Sequence, residues 1–197
     1  MQLTQAVEFL LSAPRSAPST DSKDGWVVFS DAMKAFPFAA WGAVAYNELT
    51  GEILTANGSW FETTLHITAL ETYAAAEALL AFKHKLDKSS TSSQPSSHSV
   101  NLEMFIDASA AVAAITHGSS PSWAMDTAAR HVLRVAASLN RTLRVFHIMG
   151  SLQPADEPSR NADIDFEKIK AFRRRRVGGR SSTLKQSCGS PMEALRN

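Results

Sequence analysis

Trp26-Val27-Val28-Phe29-Ser30-Asp31 is the stretch from which the fold is read. Its apolar run is β-branched and aromatic, too short for a helix and suited to a buried strand, and it stops at a carboxylate. An ionised acid beside an apolar strand is costly unless something satisfies it. The same pattern returns at Asn101–Ile106, a second short apolar run that stops at Asp107. Between these two, residues 40–47 and 52–60 read as strands joined by a turn at Thr50-Gly51, which with the first makes an antiparallel meander. Leu143–Ile148 reads as a fifth strand.

The segments between strands are helical in character. Residues 67–86 are rich in Ala and Leu, with no helix breaker. Ser109–Thr116 stops at His117-Gly118, and Pro121–Leu139 carries its proline near the start, where a helix tolerates it. A last helix after Pro154 carries Asp156. Three hairpin strands followed by strands separated by helices predict an α/β fold with a mixed sheet. The right-handed crossover rule sets the fourth strand parallel to the first and beside it. The expected architecture is a five-stranded sheet of order 3-2-1-4-5 with helices on both faces.

The chain of 197 residues suits one domain with tails. Residues 1–25 read as an extension or linker, 26–165 as the folded domain, the Ser-rich stretch 88–99 as an insert, and 166–197 as a basic, disordered tail. Hydrophobic residues make up 44% and charged residues 20%, ordinary for a globular protein, and the net charge is only +1. The single cysteine, Cys188, supports neither a disulfide framework nor a cysteine-based zinc site. No apolar run reaches the roughly 18 residues of a membrane span, and Met1–Ala13 lacks the basic start of a signal peptide. The expectation is an intracellular protein, cytoplasmic or nuclear, with no membrane partner.

In an open sheet, the ends of adjacent parallel strands form the usual ligand crevice. If the first and fourth strands are neighbours, Asp31 and Asp107 converge there and repel each other. A divalent cation with oxygen ligands, Mg²⁺ or Mn²⁺, resolves that repulsion. Each acid taken alone also reads as a turn or helix cap. Glu71 is placed in the first turn of the 67–86 helix, where the helix dipole alone could explain an acid. Its small and apolar neighbours Ala69, Leu70, Ala74 and Ala75 aim it at the sheet instead. Glu77 lies too far along the helix to share the same spot. Asp156 follows the fifth strand, and spacing does not separate it from Asp163 or Asp165.

Phe29-Ser30-Asp31-Ala32 with Trp41-Gly42-Ala43-Val44 resembles the opening of ribonuclease H domains in reverse-transcribing elements. His66-Ile67-Thr68-Ala69-Leu70-Glu71 looks like the stretch that places their helix glutamate, and Ile106-Asp107 with Ala111–Ile115 like their fourth-strand acid and following helix. The stretch His147-Ile148-Met149-Gly150 through Pro154-Ala155-Asp156-Glu157-Pro158-Ser159-Arg160 resembles the ending of that domain in tyrosine-recombinase retroelements. Its Pro154–Arg160 part is also similar to the hepadnavirus polymerase. The matches run in order from about Trp26 to Arg160. The sequence departs from the pattern at Met149, where proline is usual, at Ala108, where asparagine is common, and in the 88–99 insert.

By that resemblance the catalytic, metal-holding acids are Asp31, Glu71, Asp107 and Asp156. The resemblance implies a two-metal endonuclease that cuts the RNA strand of an RNA–DNA hybrid, with a reverse transcriptase domain as a partner on the same polyprotein. Two other readings stand beside it: a non-catalytic, nucleic-acid-binding relic of the fold, and a DNA resolvase or exonuclease of the same superfamily. His147 reads as structural, and Trp26, Trp41, Trp60 and Trp123 as packing residues. The Arg173–Arg176 run reads as a nucleic-acid or nuclear-localisation patch, or equally as a solvated charged tail.

Overall fold

A computed structural model describes residues 25–35, 37–60, 63–87 and 100–179. The expected extension, apart from Gly25, the insert 88–99 and everything beyond 179 lie outside the described residues.

Strands β1 (Trp26–Ala35), β2 (Phe38–Asn47) and β3 (Ile53–Trp60) form the meander. The Asn47 side chain accepts from the backbone N–H of Leu49 and Thr50 at the turn. Helix α1 (Ile67–Ala81) and the short α2 (Lys83–Leu86) follow, then β4 (Val100–Ile106), α3 (Ser109–His117), α4 (Trp123–Ser138) and β5 (Arg141–His147). A 3₁₀ turn (Gly150–Leu152), a single helical turn α5 (Asp156–Ser159) and α6 (Phe166–Gly179) complete the described chain. The sheet order is β3-β2-β1-β4-β5. β1 and β2 pair antiparallel, while β1–β4 and β4–β5 pair parallel. The expected order and strand directions are therefore the observed ones. Among the described residues no helix is long and apolar enough to cross a membrane.

Alternation along the strands supplies two cores. Val28, Met104 and Ile106 face one side with α1, α3 and α4. The alanines of α1 (Ala75, Ala76, Ala78) and of α4 (Ala129, Ala136) let these helices pack closely on the sheet and on each other. Val27, Phe29, Val44 and Tyr46 face the other side, covered by Ile148, Ala155, Ile169 and Phe172. Phe172 meets Phe29 and Phe105 edge-on, at centroid distances of 5.0 and 4.9 Å.

Three expectations are corrected. The segment from 166 is not a tail throughout: Phe166–Gly179 is a helix that closes the second face of the sheet. Among its described side chains only Ile169 and Phe172 are buried, spaced for one helical face but followed by a run of bases. The first strand also does not end at Asp31. Its pairing with β2 continues to Ala35↔Phe38, so the acid lies within β1. The helix expected after Pro154 is reduced to the single turn of α5.

Candidate metal centre

The parallel ladder between β1 and β4 stops at Phe29↔Phe105. Asp31 and Asp107 each lie two residues beyond that last pair. The strands separate there, and the buried Gln153 amide fills the gap, donating to the Ser30 carbonyl at 2.9 Å and the Phe105 carbonyl at 3.5 Å. The crevice expected at the strand ends is thus built by an amide that holds the two backbones apart.

Glu71 enters from the helical layer. It lies beyond the first turn of α1, so the helix terminus expected to explain it does not. It is 6% exposed and accepts from the Ala32 N–H at 3.1 Å, which fixes it beside Asp31 across the strand. Asp31, Glu71 and Asp107 each present an oxygen within 4.8 Å of the others. Neither Glu77 nor Asp163 nor Asp165 belongs to this group.

Burial pushes the Asp31 carboxyl up to about 6; the Ser159 hydroxyl opposes that, and the charges of Asp107 and Asp156 add to it. Burial, then the neighbouring Asp31 and Asp107, push Glu71 up to about 9. Asp107 is raised too, chiefly by burial and by Asp156, with His147 pulling the other way. Three clustered carboxylates, each more easily protonated than in water, form an oxygen donor set short of one positive charge. A hard divalent cation fits that set.

The single turn α5 supplies the remaining contacts. The Ser159 Oγ lies 2.5 Å from Asp31 Oδ2 and 2.8 Å from the Asp156 carbonyl. With one proton to donate, its stronger bond is to the ionised carboxylate. The turn can come this close because β2 has Gly42 opposite Asp31: a Cβ there would lie 2.1 Å from the Ser159 nitrogen. Gly150 faces Asp107 in a similar way, since its Cβ would sit 3.2 Å from Asp107 Oδ2.

Asp156 stands apart from the three. Its carboxylate is bound by Arg160 at 2.9 Å and lies 3.6 Å from the Lys168 Nζ. Its charge still reaches Asp31, Glu71 and Asp107. His147 is exposed, and its Nε2 lies 2.9 Å from the Asp107 carbonyl, which ties β5 to the loop after β4. Sequence reasoning gave no role to Gly42, Gln153, Ser159 or Lys168, although Gln153 and Ser159 lie inside the motif stretch. Their types do not announce chemistry, and only the fold sets them against the acids.

No protein-family model matches the chain, and no curated protein matches its sequence. Its fold is similar to solved ribonucleases H. LC11-RNase H1, solved in complex with an RNA/DNA hybrid, is 16% identical, with 75% of this chain and 99% of that one covered at a TM-score of 0.57. RNase H1 of Halobacterium salinarum NRC-1 is 15% identical over 70% of this chain and 96% of its own, at 0.53. The N-terminal RNase H domain of a Mycobacterium tuberculosis protein is 11% identical over 76% of this chain and 99% of its own, at 0.55. With the strand order 3-2-1-4-5 and helices on both sheet faces, the chain has the ribonuclease H-like fold.

Proposed function

We propose that the protein is a metal-dependent endonuclease that hydrolyses the RNA strand of RNA–DNA hybrids, acting in reverse transcription. One observation carries the reading: three carboxylates from three separate elements meet within 4.8 Å where β1 and β4 part. Structural domains have no need to gather buried like charges, whereas phosphodiester hydrolysis on cations does.

In this reading Asp31, Glu71 and Asp107 would hold the cations, with Glu71 also placed to orient the neighbouring 2′-hydroxyl. Asp156, already neutralised by Arg160 and Lys168, would hold a second ion more loosely. When bound, two Mg²⁺ or Mn²⁺ ions supply an activated water and stabilise the leaving oxygen. The chain's own contribution is positional: Ser159 orients Asp31, the Ala32 N–H orients Glu71, and Gln153 keeps the crevice open. Preference for RNA comes from contacts to the 2′-hydroxyl. The hybrid as substrate agrees with the ligand of LC11-RNase H1. A reverse transcriptase domain as partner rests on the retroelement-like stretches around Asp31, Glu71, Asp107 and Asp156.

The test is cleavage of a labelled RNA–DNA hybrid with Mg²⁺ or Mn²⁺, comparing the wild type with Asp107→Asn and using duplex DNA and duplex RNA as controls. Cutting confined to the RNA strand of the hybrid, and abolished by the substitution, is expected. A folded, metal-binding protein that cuts nothing would leave the fold as a binding module. Cutting of duplex or branched DNA would move it to the resolvases.

A further inference from the structure

We infer that the exposed arginines of the last turns of α6, Arg173, Arg174 and Arg175, form a phosphate-binding face that grips the nucleic-acid backbone beside the acid cluster. The inference rests on the proposed nuclease reading for the identity of its ligand.

The arginine run divides by direction. Arg176 turns inward: it pairs with Glu103 of β4, lies 3.3 Å from Glu48, and sits over the Phe172 ring. Arg173, Arg174 and Arg175 are exposed. Arg173 lies over the Tyr46 ring at 5.5 Å. Arg175 reaches the Met149 sulfur at 3.9 Å.

The acids around this helix are already engaged. Arg176 takes Glu48 and Glu103, and Lys170 takes Glu167 at 2.6 Å. Among the described residues no acid pairs with Arg173, Arg174 or Arg175. Arg144, opposite Glu103 in the β4–β5 register, adds a cation on the same side of the sheet. Adjacent guanidiniums without counter-charge repel one another, and a polyanion relieves that repulsion. Arginine suits phosphate through its fork of donors.

The position of this face relative to the acids identifies the polyanion. Met149, which Arg175 touches, is 57% exposed and immediately precedes Gly150. Gly150 is the residue whose Cβ would meet the Asp107 carboxylate. Two consecutive residues therefore span from the cluster to Arg175. A strand whose scissile phosphate lies at the acids would carry its flanking phosphates over Met149 toward Arg175. A folded, partly anchored helix also presents its charges in fixed positions, which a solvated tail does not.

The experiment is fluorescence-anisotropy binding of a short labelled RNA–DNA hybrid to the full chain in EDTA, where cleavage is silent, between about 50 and about 200 mM salt. The double variant Arg174→Gln/Arg175→Gln is compared with the wild type, with Arg174→Lys/Arg175→Lys, and with Lys83→Gln on the opposite helical layer. Each lost phosphate contact weakens binding and lowers the salt slope by about 1. The expected result is a slope lower by about 2 in the glutamine variant, little change in the lysine variant and none in Lys83→Gln. Unchanged slope in the glutamine variant overturns the inference. So does wild-type protein that fails to bind the hybrid, or arginine-dependent binding to anionic vesicles with hybrid binding intact. Cleavage with Mg²⁺ is scored separately: a chain that cuts the hybrid with unaltered slope retains its function and loses this face. One that binds through the arginines without cutting keeps the face and loses the nuclease reading.

Discussion

Gly42 and Ser159 are in backbone contact across two elements far apart in sequence: a Cβ on Gly42 would lie 2.1 Å from the Ser159 nitrogen and 2.6 Å from the Ala155 carbonyl oxygen. The glycine lets α5 settle on β2 directly opposite Asp31, and so lets the Ser159 hydroxyl reach that acid. Both obstructing atoms belong to backbone, so a side chain cannot be absorbed by a rotamer change. Gly42→Ala is therefore expected to cost about 1–3 kcal/mol through overpacking and to weaken Mn²⁺ binding as Asp31 loses its donor. Ser159→Ala should weaken Mn²⁺ binding with a smaller loss of stability. Denaturant midpoints and calorimetric Mn²⁺ titrations separate the two, and a Gly42→Ala protein unchanged in both would mean that α5 does not depend on this contact.

Stability of the metal-free protein should fall as pH rises. Glu71 titrates near 9 and Asp31 near 6 in the fold, against ordinary values of 4.5 and 3.8. Between about pH 4 and about pH 9 the folded chain therefore holds protons that the unfolded chain has released. Their stabilisation is complete below the ordinary values and is lost as pH climbs through the folded ones. Glu71→Gln removes most of this dependence, so the variant should unfold at higher temperature than the wild type at pH 9 and bind Mn²⁺ more weakly. Mg²⁺ should narrow the gap by replacing the protons, releasing them into the buffer on binding. Parallel melting curves for the two proteins across that range would contradict the account.

The sheet order could be read from the sequence because strand length, turn chemistry and the crossover rule act locally and leave few topologies. Asp31 and Asp107 were legible for the same reason, each closing an apolar run. Glu71 was placed correctly against the sheet, and its helix starts at residue 67 as read, capped by the His66 ring accepting from the Thr68 N–H, but the acid is the fifth helical residue and so lies just past the first turn. Helix α6 was missed because two buried residues, Ile169 and Phe172, carry it among bases, and their value exists only against Phe29 and Phe105. Gln153 was beyond reach for another reason: nothing in its neighbours tells that two parallel strands separate where its amide arrives.

Asp156 should matter less than the other three acids. It lies outside the 4.8 Å group, and Arg160 and Lys168 already balance its charge. Asp156→Asn breaks partly exposed pairs, which contribute about 0–1 kcal/mol to stability, so the fold should be intact. Single-turnover cleavage of the hybrid at saturating Mn²⁺ is expected to fall in Asp156→Asn but to stay measurable, whereas Asp107→Asn should abolish it. Equal losses would place Asp156 among the tightly held ligands once the cations are bound.

The boundary of the folded domain can be tested at α6. A chain that ends at Asp165 loses Ile169 and Phe172 from the second core and uncovers Phe29 and Phe105, which Phe172 caps. Burying a side chain of that size contributes about 1.5–3 kcal/mol, and domains are stable by only about 5–15 kcal/mol. The inward pairs of Arg176 with Glu48 and Glu103 are lost as well. The shortened chain should therefore be largely unfolded or aggregated, while one that ends at Gly179 should melt close to the full chain. Phe172→Ala, which keeps the helix but empties its anchor, should fall between them with a loss of about 3–5 kcal/mol. If the chain ending at Asp165 folds with the stability of the full protein, α6 is an accessory to the sheet and not its second layer.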